Sequence, residues 1–262
     1  MSEKLENRIV FDEVADLYDE VRPRYPTALF DSLVEAAHLP ARAKLLEIGP
    51  GTGLATGELA RRGFEILGVE IGPRLANLAR RNLRDFPNVR VVTAPFEDID
   101  LPSGTFDLVY AATSFHWIDP KLRFTKPHRI LNSNGHLAVI HTEHVWGDHT
   151  DSLFEKTKPI YDQYLPPDDP NTHLSSATQI KPYEFDGSLF KSVFFSTFPT
   201  TVKYSSEDYV QLINTFSPTR AMDPHNRELF LKAIQDLIDK HFGGAVTKHF
   251  AMTLNVAKKN DG

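Results

Sequence analysis

The sequence predicts an α/β fold in which helices cover both faces of a mostly parallel, doubly wound sheet. Short apolar runs typical of buried strands alternate with amphipathic stretches of helical spacing through the first half of the chain. One such run, residues 44–48, leads directly into a glycine-rich turn at residues 49–53 and then into a helix. The length of 262 residues suits one α/β domain with an elaboration.

The composition limits the possible functions. The net charge is −6 and acidic and basic residues are interspersed, so the clustered basic face of a nucleic-acid-binding protein is not expected. The chain has no cysteine, which excludes disulfides, thiolate zinc sites and a cysteine nucleophile. The polar N-terminus has no signal-peptide pattern, and no apolar run approaches the roughly 18 residues of a membrane span. We therefore expect a cytoplasmic monomer or homodimer that acts on a small molecule, with no nucleic-acid or membrane partner.

A lead-in segment at residues 8–26 precedes the first helix of the core. Apolar residues at helical spacing are followed by Arg22-Pro23-Arg24-Tyr25-Pro26, in which the prolines prevent a continuous helix. A helix is expected to begin after Pro26 and to end at Pro40.

The first predicted strand, residues 44–48, runs into glycines at three alternate positions, which lets the backbone turn tightly and approach a ligand closely. The second predicted strand, residues 64–70, ends in Glu70, 21 residues beyond Gly49. An acid at this place accepts hydrogen bonds from the ribose of an adenosine-bearing cofactor. The dinucleotide fingerprint G-x-G-x-x-G/A does not fit, because its third position is occupied by Thr52 or Thr56.

The spacing that does fit is acid-x-Gly-x-Gly-x-Gly, with Glu47 two residues before the first glycine. In this form the stretch resembles the first motif of the class I S-adenosylmethionine-dependent methyltransferases. The resemblance implies a Rossmann-like sheet of seven strands, one of them antiparallel, with S-adenosylmethionine as the cofactor. It also implies that the acid and glycines of the motif, and the end of the second strand, bind this cofactor: Glu47, Gly49, Gly51, Gly53, Glu70 and Ile71.

Two further segments are implied by the resemblance to contact the cofactor. In the family, the loop after the third strand (here residues 89–92) covers the adenine ring, and a Tyr…Arg-Pro-x-Tyr-Pro segment folds over the methionine end. The alternative for Phe96 is an ordinary core position, and the alternative for the second segment is a surface strap. The positions that match are Ala94, Phe96 and Glu97 in the loop, and Tyr18 and Arg22 in the lead-in segment.

The fourth predicted strand, residues 105–112, runs into Ser114-Phe115-His116-Trp117. Ligands of doubly wound sheets collect beyond the carboxyl ends of the strands. The resemblance narrows here to small-molecule methyltransferases with a His-Trp pair after this strand, and it implies that Ser114, Phe115 and Trp117 line a substrate pocket. His116 is the candidate catalytic base; the alternatives are an edge of the pocket or a histidine packed beside Trp117.

The fifth predicted strand, residues 136–140, continues into His141-Thr142-Glu143-His144. Before it, a helix at residues 121–131 either starts late or kinks at Pro127, and residues 132–135 predict a turn with positive-φ residues. We expect no metal site, because alternation along a strand turns His141 and His144 to opposite sides. Both histidines are assigned to the substrate pocket instead.

The C-terminal half is expected to complete the domain. Residues 1–147 form the cofactor-binding core, residues 148–190 are an insertion that lies over the substrate side as a lid, and residues 191–262 complete the same sheet. In this last part, a strand at 191–204 is expected to break around Pro199. Helices are expected at 207–216 and 227–241, and an antiparallel strand at 247–257.

These features predict S-adenosylmethionine-dependent methyl transfer to a small molecule, at a carboxylate or a hydroxyl group. Two alternatives stay open. A methyltransferase-like protein could bind the cofactor and act as a regulator, since fold alone does not settle function. An NAD-dependent oxidoreductase would explain Glu70 but not Glu47 or the glycine spacing.

Overall fold

The computed structural model describes Asp12 and residues 15–145, 152–165 and 179–260, without the side chains of residues 16 and 18. The helices in this part of the chain are α1 (Ala15–Val21), α2 (Thr27–Ala36), α3 (Leu54–Ala60), α4 (Pro73–Asn82), α5 (Thr125–Ile130), α6 (Ser152–Tyr164), α7 (Ser206–Asn214), α8 (Ser217–Ala221) and α9 (Pro224–Phe242). The strands are β1 (Lys44–Ile48), β2 (Glu65–Glu70), β3 (Val89–Thr93), β4 (Phe106–Ala112), β5 (Leu131–Val145), β6 (Phe190–Ser205) and β7 (Ala245–Lys259). None of these helices is long and apolar enough to cross a membrane.

The strands form one seven-stranded sheet in the order β3-β2-β1-β4-β5-β7-β6. The first five strands pair in parallel, and β7 is antiparallel to both of its neighbours, β5 and β6. This confirms the predicted mostly parallel, doubly wound sheet with one antiparallel strand. The predicted bounds of β1 agree with the structure, and those of the other parallel strands up to β4 agree within one residue.

Both faces of the sheet are buried, which explains why its central strands are apolar at consecutive positions. In β1, Leu45 packs on one face with α2 and α3, whereas Leu46 packs on the other face with residues of β4 and β5. The strand order reverses between β1 and β4, so a crevice opens beyond their carboxyl ends. The glycine turn and the loop after β4 both begin at this crevice.

Around α5 the structure settles one open question and corrects one prediction. The helix starts late, at Thr125, so Pro127 lies in its first turn, where its missing N–H costs nothing. The predicted turn at residues 132–135 is wrong, because β5 already begins at Leu131 and Gly135 has no positive φ. Gly135 is needed for space instead: a Cβ there would lie 2.9 Å from Leu131 Cβ.

The predicted break at Pro199 is also wrong. Strand β6 runs through this residue, which pairs with Ala251 of β7. Because β6 is the last strand of the sheet, a residue without an N–H can be accommodated on its open side.

The segment predicted as a lid is described only in part, since residues 146–151 and 166–178 lie outside the described residues. Its helix α6 packs on the C-terminal helices: the rings of Tyr161 and Tyr164 lie 5.2 and 5.8 Å from the ring of Phe230. The role as a lid stays a prediction.

Candidate cofactor and acceptor site

The glycine turn forms a tight cradle after β1. Gly49, Gly51 and Gly53 have φ values of 68°, 59° and 90°, a region that favours glycine. A Cβ on Gly49 would lie 2.8 Å from Ser114 Cβ, and one on Gly53 would lie 2.8 Å from Leu83 Cδ1. A Cβ on Gly51 would meet no atom within 4 Å. The turn is therefore packed against protein at both ends and open to a ligand in the middle.

Glu70 ends β2 beside this turn and is 4% exposed. Its Oε2 accepts a hydrogen bond from the Gly51 N–H and its Oε1 accepts one from the Gly72 N–H, both at 2.9 Å. Burial raises the pKa of Glu70 above its usual value. Each carboxylate oxygen has a second lone pair, so the group can also accept hydrogen bonds from two ribose hydroxyls.

Glu47, the acid of the motif, holds the turn from inside the protein. Its Oε2 accepts hydrogen bonds from Thr56 Oγ1 at 2.5 Å and from Tyr110 Oη at 2.7 Å. The residue is 1% exposed, and burial raises the pKa of Glu47 to about 7. These bonds join β1 to α3 and to β4, and thereby fix the direction in which the turn leaves the sheet.

Two adjoining cavities, together called the cleft, open above the turn. The larger cavity, about 260 Å³, contains Glu70 in its wall, and the smaller cavity, about 60 Å³, contains Glu47. The larger cavity brings together most of the predicted site: Arg22, Gly49, Gly51, Glu70, Ile71, Phe96, Ser114, His116, Trp117 and His144. Among the described residues, no three His, Asp or Glu side chains are arranged to hold a metal ion.

Five predicted residues do not line either cavity: Gly53, Ala94, Glu97, Phe115 and His141. The Ala94 N–H donates to the Glu70 carbonyl, and the Glu97 side chain accepts from the Asp119 N–H at 3.1 Å. Phe115 is fully buried against Phe124. His141 stacks on Tyr183 on the other side of β5, as the alternation along a strand requires.

His116 and Trp117 lie in a short 3₁₀ turn (Phe115–Trp117) after β4. Their rings are 4.7 Å apart and both line the larger cavity. Arg123 fixes this turn, since its Nη2 donates to the carbonyl oxygens of His116 and Ile118, each at 3.0 Å. Ser114 donates to the Ile48 carbonyl and so ties the loop to the end of β1.

Strand β5 contributes Thr142 and His144 to both cavities. The imidazole of His144 is held edge to face by Phe216 and Phe250, with ring centroids 5.2 and 5.1 Å away. Burial, and then the nearby charges of Lys248 and Arg22, lower the pKa of His144 to about 3. His144 is therefore neutral at physiological pH.

Arg22 connects the N-terminal segment to the C-terminal helices. Its Nε donates to Thr215 Oγ1 at 3.0 Å, its Nη2 donates to the Thr215 carbonyl at 3.1 Å, and its guanidinium lies 4.9 Å from the Phe216 ring centre. It also lines both cavities, so this segment reaches the wall of the cleft. Tyr18 lies in α1, but its side chain is outside the described residues.

Sequence reasoning missed several residues of the cleft wall. Tyr25 belongs to the Arg-Pro-x-Tyr-Pro segment, and this motif could have identified it as a residue of the cleft. Thr113 and Thr142 follow strand ends, where side chains reach the crevice. Residues 216–218 also line the cleft, and no local pattern connects them to the glycine turn. The missed positions include Tyr25, Thr113, Thr142, Phe216, Ser217 and Pro218.

The cleft fits an adenosine-bearing cofactor. The cradle is open at Gly51, Glu70 offers acceptor lone pairs beside it, and Ile71 and Phe96 provide apolar wall. The Thr52 hydroxyl is buried in the wall of the smaller cavity and has no hydrogen-bond partner in the described part of the protein. This arrangement alone does not separate a methyl donor from a dinucleotide.

Comparison with known proteins favours the methyl donor over the dinucleotide. A family model for a methyltransferase domain matches residues 46–139. An uncharacterised methyltransferase-like protein of Schizosaccharomyces pombe is 28% identical over 220 residues, covering 83% of this chain and 80% of that protein. An uncharacterised methyltransferase of Mycobacterium tuberculosis is 31% identical over 130 residues, and the match spans about half of each chain, 50% and 51%.

Solved structures agree in fold. A candidate type II methyltransferase from Anaeromyxobacter dehalogenans superimposes with a TM-score of 0.61 at 23% identity, covering 91% of this chain and 96% of that one. The matched family segment begins within β1 and ends within β5, so it contains the glycine turn, Glu70 and the His-Trp loop. The family implies S-adenosylmethionine as the cofactor. The methyltransferase-domain match, the methyltransferase relatives and the shared fold together support a class I S-adenosylmethionine-dependent methyltransferase.

Proposed function

We propose that the protein methylates an oxygen atom, of a carboxylate or a hydroxyl group, on a small organic acceptor. The observation that carries this proposal is the distribution of charge in the cleft. Among the described residues that line it, the carboxylates are Glu47 and Glu70. Glu70 accepts a hydrogen bond from the Gly51 N–H of the glycine turn, and Glu47 accepts hydrogen bonds from Thr56 and Tyr110.

The rest of the wall is neutral or cationic. It presents hydroxyl groups, imidazoles and one guanidinium, and its apolar part is aromatic. An ammonium acceptor would have no carboxylate to pair with there, whereas an oxygen acceptor can receive hydrogen bonds from these donors. The donors include Arg22, Thr113, His116, Thr142, His144 and Ser217.

When bound, S-adenosylmethionine supplies an electrophilic methyl group whose leaving group is a neutral thioether. Glu70 and the open cradle at Gly51 would hold its nucleoside end, with Ile71 and Phe96 as apolar wall. The protein's contribution is orientation and exclusion of water, which can supply about 7–11 kcal/mol in favourable cases.

A hydroxyl acceptor must lose a proton, whereas a carboxylate is already ionised. Of the two histidines in the cleft, His144 has a pKa of about 3 and is a weak base. His116 lines the larger cavity and is the residue we assign to proton removal for a hydroxyl acceptor.

The proposal is tested with S-adenosylmethionine labelled in its methyl group and a panel of small carboxylic acids, phenols, alcohols and amines. Labelled product and S-adenosylhomocysteine are quantified together. Treatment with base distinguishes the oxygen products, because methyl esters hydrolyse and methyl ethers do not. Glu70→Ala serves as the inactive control. Glu65→Gln is the matched control, because Glu65 lies at the opposite end of β2 and half-exposed.

We expect labelled ester or ether with the wild type and Glu65→Gln, and none with Glu70→Ala. Product from amines alone would show that the acceptor class is wrong. Cofactor binding without turnover across the whole panel would favour the regulatory alternative.

A further inference from the structure

The two cavities share one wall, and this wall is where an acceptor has to meet the transferred methyl group. Glu70 and Phe96 line only the larger cavity, whereas Tyr25 and Phe250 line only the smaller one. A cofactor held with its nucleoside end at Glu70 would extend past the glycine turn toward the shared wall. That wall contains Thr113, which neither the motif nor the family match singles out.

Thr113 has an unusual backbone. Its φ is +63°, a value that β-branched residues rarely adopt because the side chain crowds the backbone. The conformation is fixed by its own N–H, which donates to the Ile140 carbonyl of β5 at 2.8 Å. Backbone strain of this kind persists where surrounding structure enforces it, and it is concentrated at ligand sites.

Tyr25 is the partner of Thr113. Its Oη lies 3.2 Å from Thr113 Oγ1, within hydrogen-bond distance. Its ring packs edge to face on the buried Phe30 of α2, with centroids 5.9 Å apart and planes at 81°. Pro23 and Pro26 keep the flanking backbone extended. The hydroxyl of Tyr25 is thus held at the wall of the smaller cavity by packing behind it.

We propose that Tyr25 and Thr113 act as one hydrogen-bonding pair that positions the acceptor oxygen for methylation, an inference that rests on the proposed function. A hydroxyl both donates and accepts, so a bond between the two groups leaves Thr113 able to bond to an oxygen in the cleft. One lone pair of that oxygen accepts the hydrogen bond and another forms the bond to the methyl carbon. As the sulfur–methyl bond breaks, its electron pair goes to sulfur, and a hydroxyl acceptor gives its proton to a base.

The experiment uses the full chain and the oxygen acceptor that the wild type methylates fastest in the panel above. Tyr25→Phe and Thr113→Val each remove one hydroxyl with little change in shape, and Thr113→Ser keeps the hydroxyl. Thr201→Val is the matched control. Thr201 lies on the edge strand β6, and its exposed side-chain hydrogen bond joins it to His249 of β7. Steady-state kinetics are combined with calorimetric binding of S-adenosylhomocysteine.

We expect kcat/KM for the acceptor to fall about fivefold to tenfold in Tyr25→Phe and in Thr113→Val, as for a lost hydrogen bond. The double variant should lose little more than either single variant, because the pair acts as a unit. Binding of S-adenosylhomocysteine should change less than about twofold, and Thr113→Ser should recover most of the loss.

Unchanged acceptor kinetics in both single variants, with an active wild type, would overturn the inference and leave the proposed function standing. An equal loss in cofactor binding would also overturn it, because the pair would then shape the cofactor site. A wild type that methylates no oxygen acceptor would overturn the proposed function and this inference together.

Discussion

Thr113 shows at the scale of one residue how the cleft is shaped by unfavourable local geometry. Valine in its place keeps a β-branched side chain at φ +63°, whereas glycine adopts this conformation without strain. Both substitutions remove the hydroxyl that bonds to Tyr25. The difference in stability between the two variants therefore reports the backbone strain at residue 113.

We predict that Thr113→Gly unfolds with a free energy about 1 kcal/mol higher than Thr113→Val, because strain of about 1–3 kcal/mol exceeds the entropic cost of glycine. Urea unfolding measures the difference. Thr201 in β6 has no positive φ, so there the glycine variant should be the less stable one. If the glycine variant were the less stable of the two at both positions, the backbone of Thr113 would not be strained.

At the scale of elements, the sequence predicted best where the determining contacts are local. Each of three features stands at or directly after the carboxyl end of a strand: the glycine turn, Glu70 of β2 and the His-Trp loop. Their position at the crevice could therefore be predicted from the sequence. The contribution of residues 216–218 could not, because it depends on the hydrogen bonds between Arg22 and Thr215, which are 193 residues apart.

The two wrong predictions in the sheet have the same origin. Gly135 and Pro199 both carry strong local turn or break signals, yet each lies within a strand. Gly135 lies under Leu131, and Pro199 lies in an edge strand where a missing N–H is tolerated. The fold of the chain that brings Gly135 against Leu131, four residues earlier, and the position of Pro199 at the sheet edge are not encoded by the local turn signals.

Gly135→Ala should lower the free energy of unfolding by about 1–3 kcal/mol, because the new Cβ would overpack Leu131. Gly187→Ala is its control: no atom lies within 4 Å of a Cβ there, and its change should stay within about 0.5 kcal/mol. Chemical denaturation of both variants checks the difference. An unchanged free energy of unfolding in Gly135→Ala would show that β5 can shift to accommodate the Cβ at no cost.

At the scale of the whole molecule, two buried groups give opposite dependences of stability on pH. The pKa of Glu47 is raised from 4.5 to about 7, so its contribution to stability is complete below pH 4.5 and is lost as the pH rises through 7. Burial lowers the pKa of His136 from 6.5 to about 4. Its contribution is complete above pH 6.5 and is lost as the pH falls through 4.

Single substitutions should separate the pH-dependent contributions of Glu47 and His136 to stability. Glu47→Gln keeps an oxygen for Thr56 and Tyr110 and removes the titration, so its stability relative to the wild type should rise by about 3 kcal/mol between pH 4.5 and 8. His136→Phe should weaken the loss of stability below pH 6.5. Urea unfolding across this pH range measures both. Parallel curves for the wild type and Glu47→Gln would contradict the burial of an ionisable carboxyl group.

Binding of S-adenosylmethionine by Glu70 and the glycine turn is tested most directly by calorimetric unfolding with S-adenosylmethionine, S-adenosylhomocysteine and NAD. A ligand at 100 times its dissociation constant stabilises the native state by about 2.7 kcal/mol. We predict this stabilisation with both sulfur compounds in the wild type and in Glu65→Gln, and its loss in Glu70→Ala. Stabilisation by NAD alone, or stabilisation that Glu70→Ala leaves intact, would contradict the assignment.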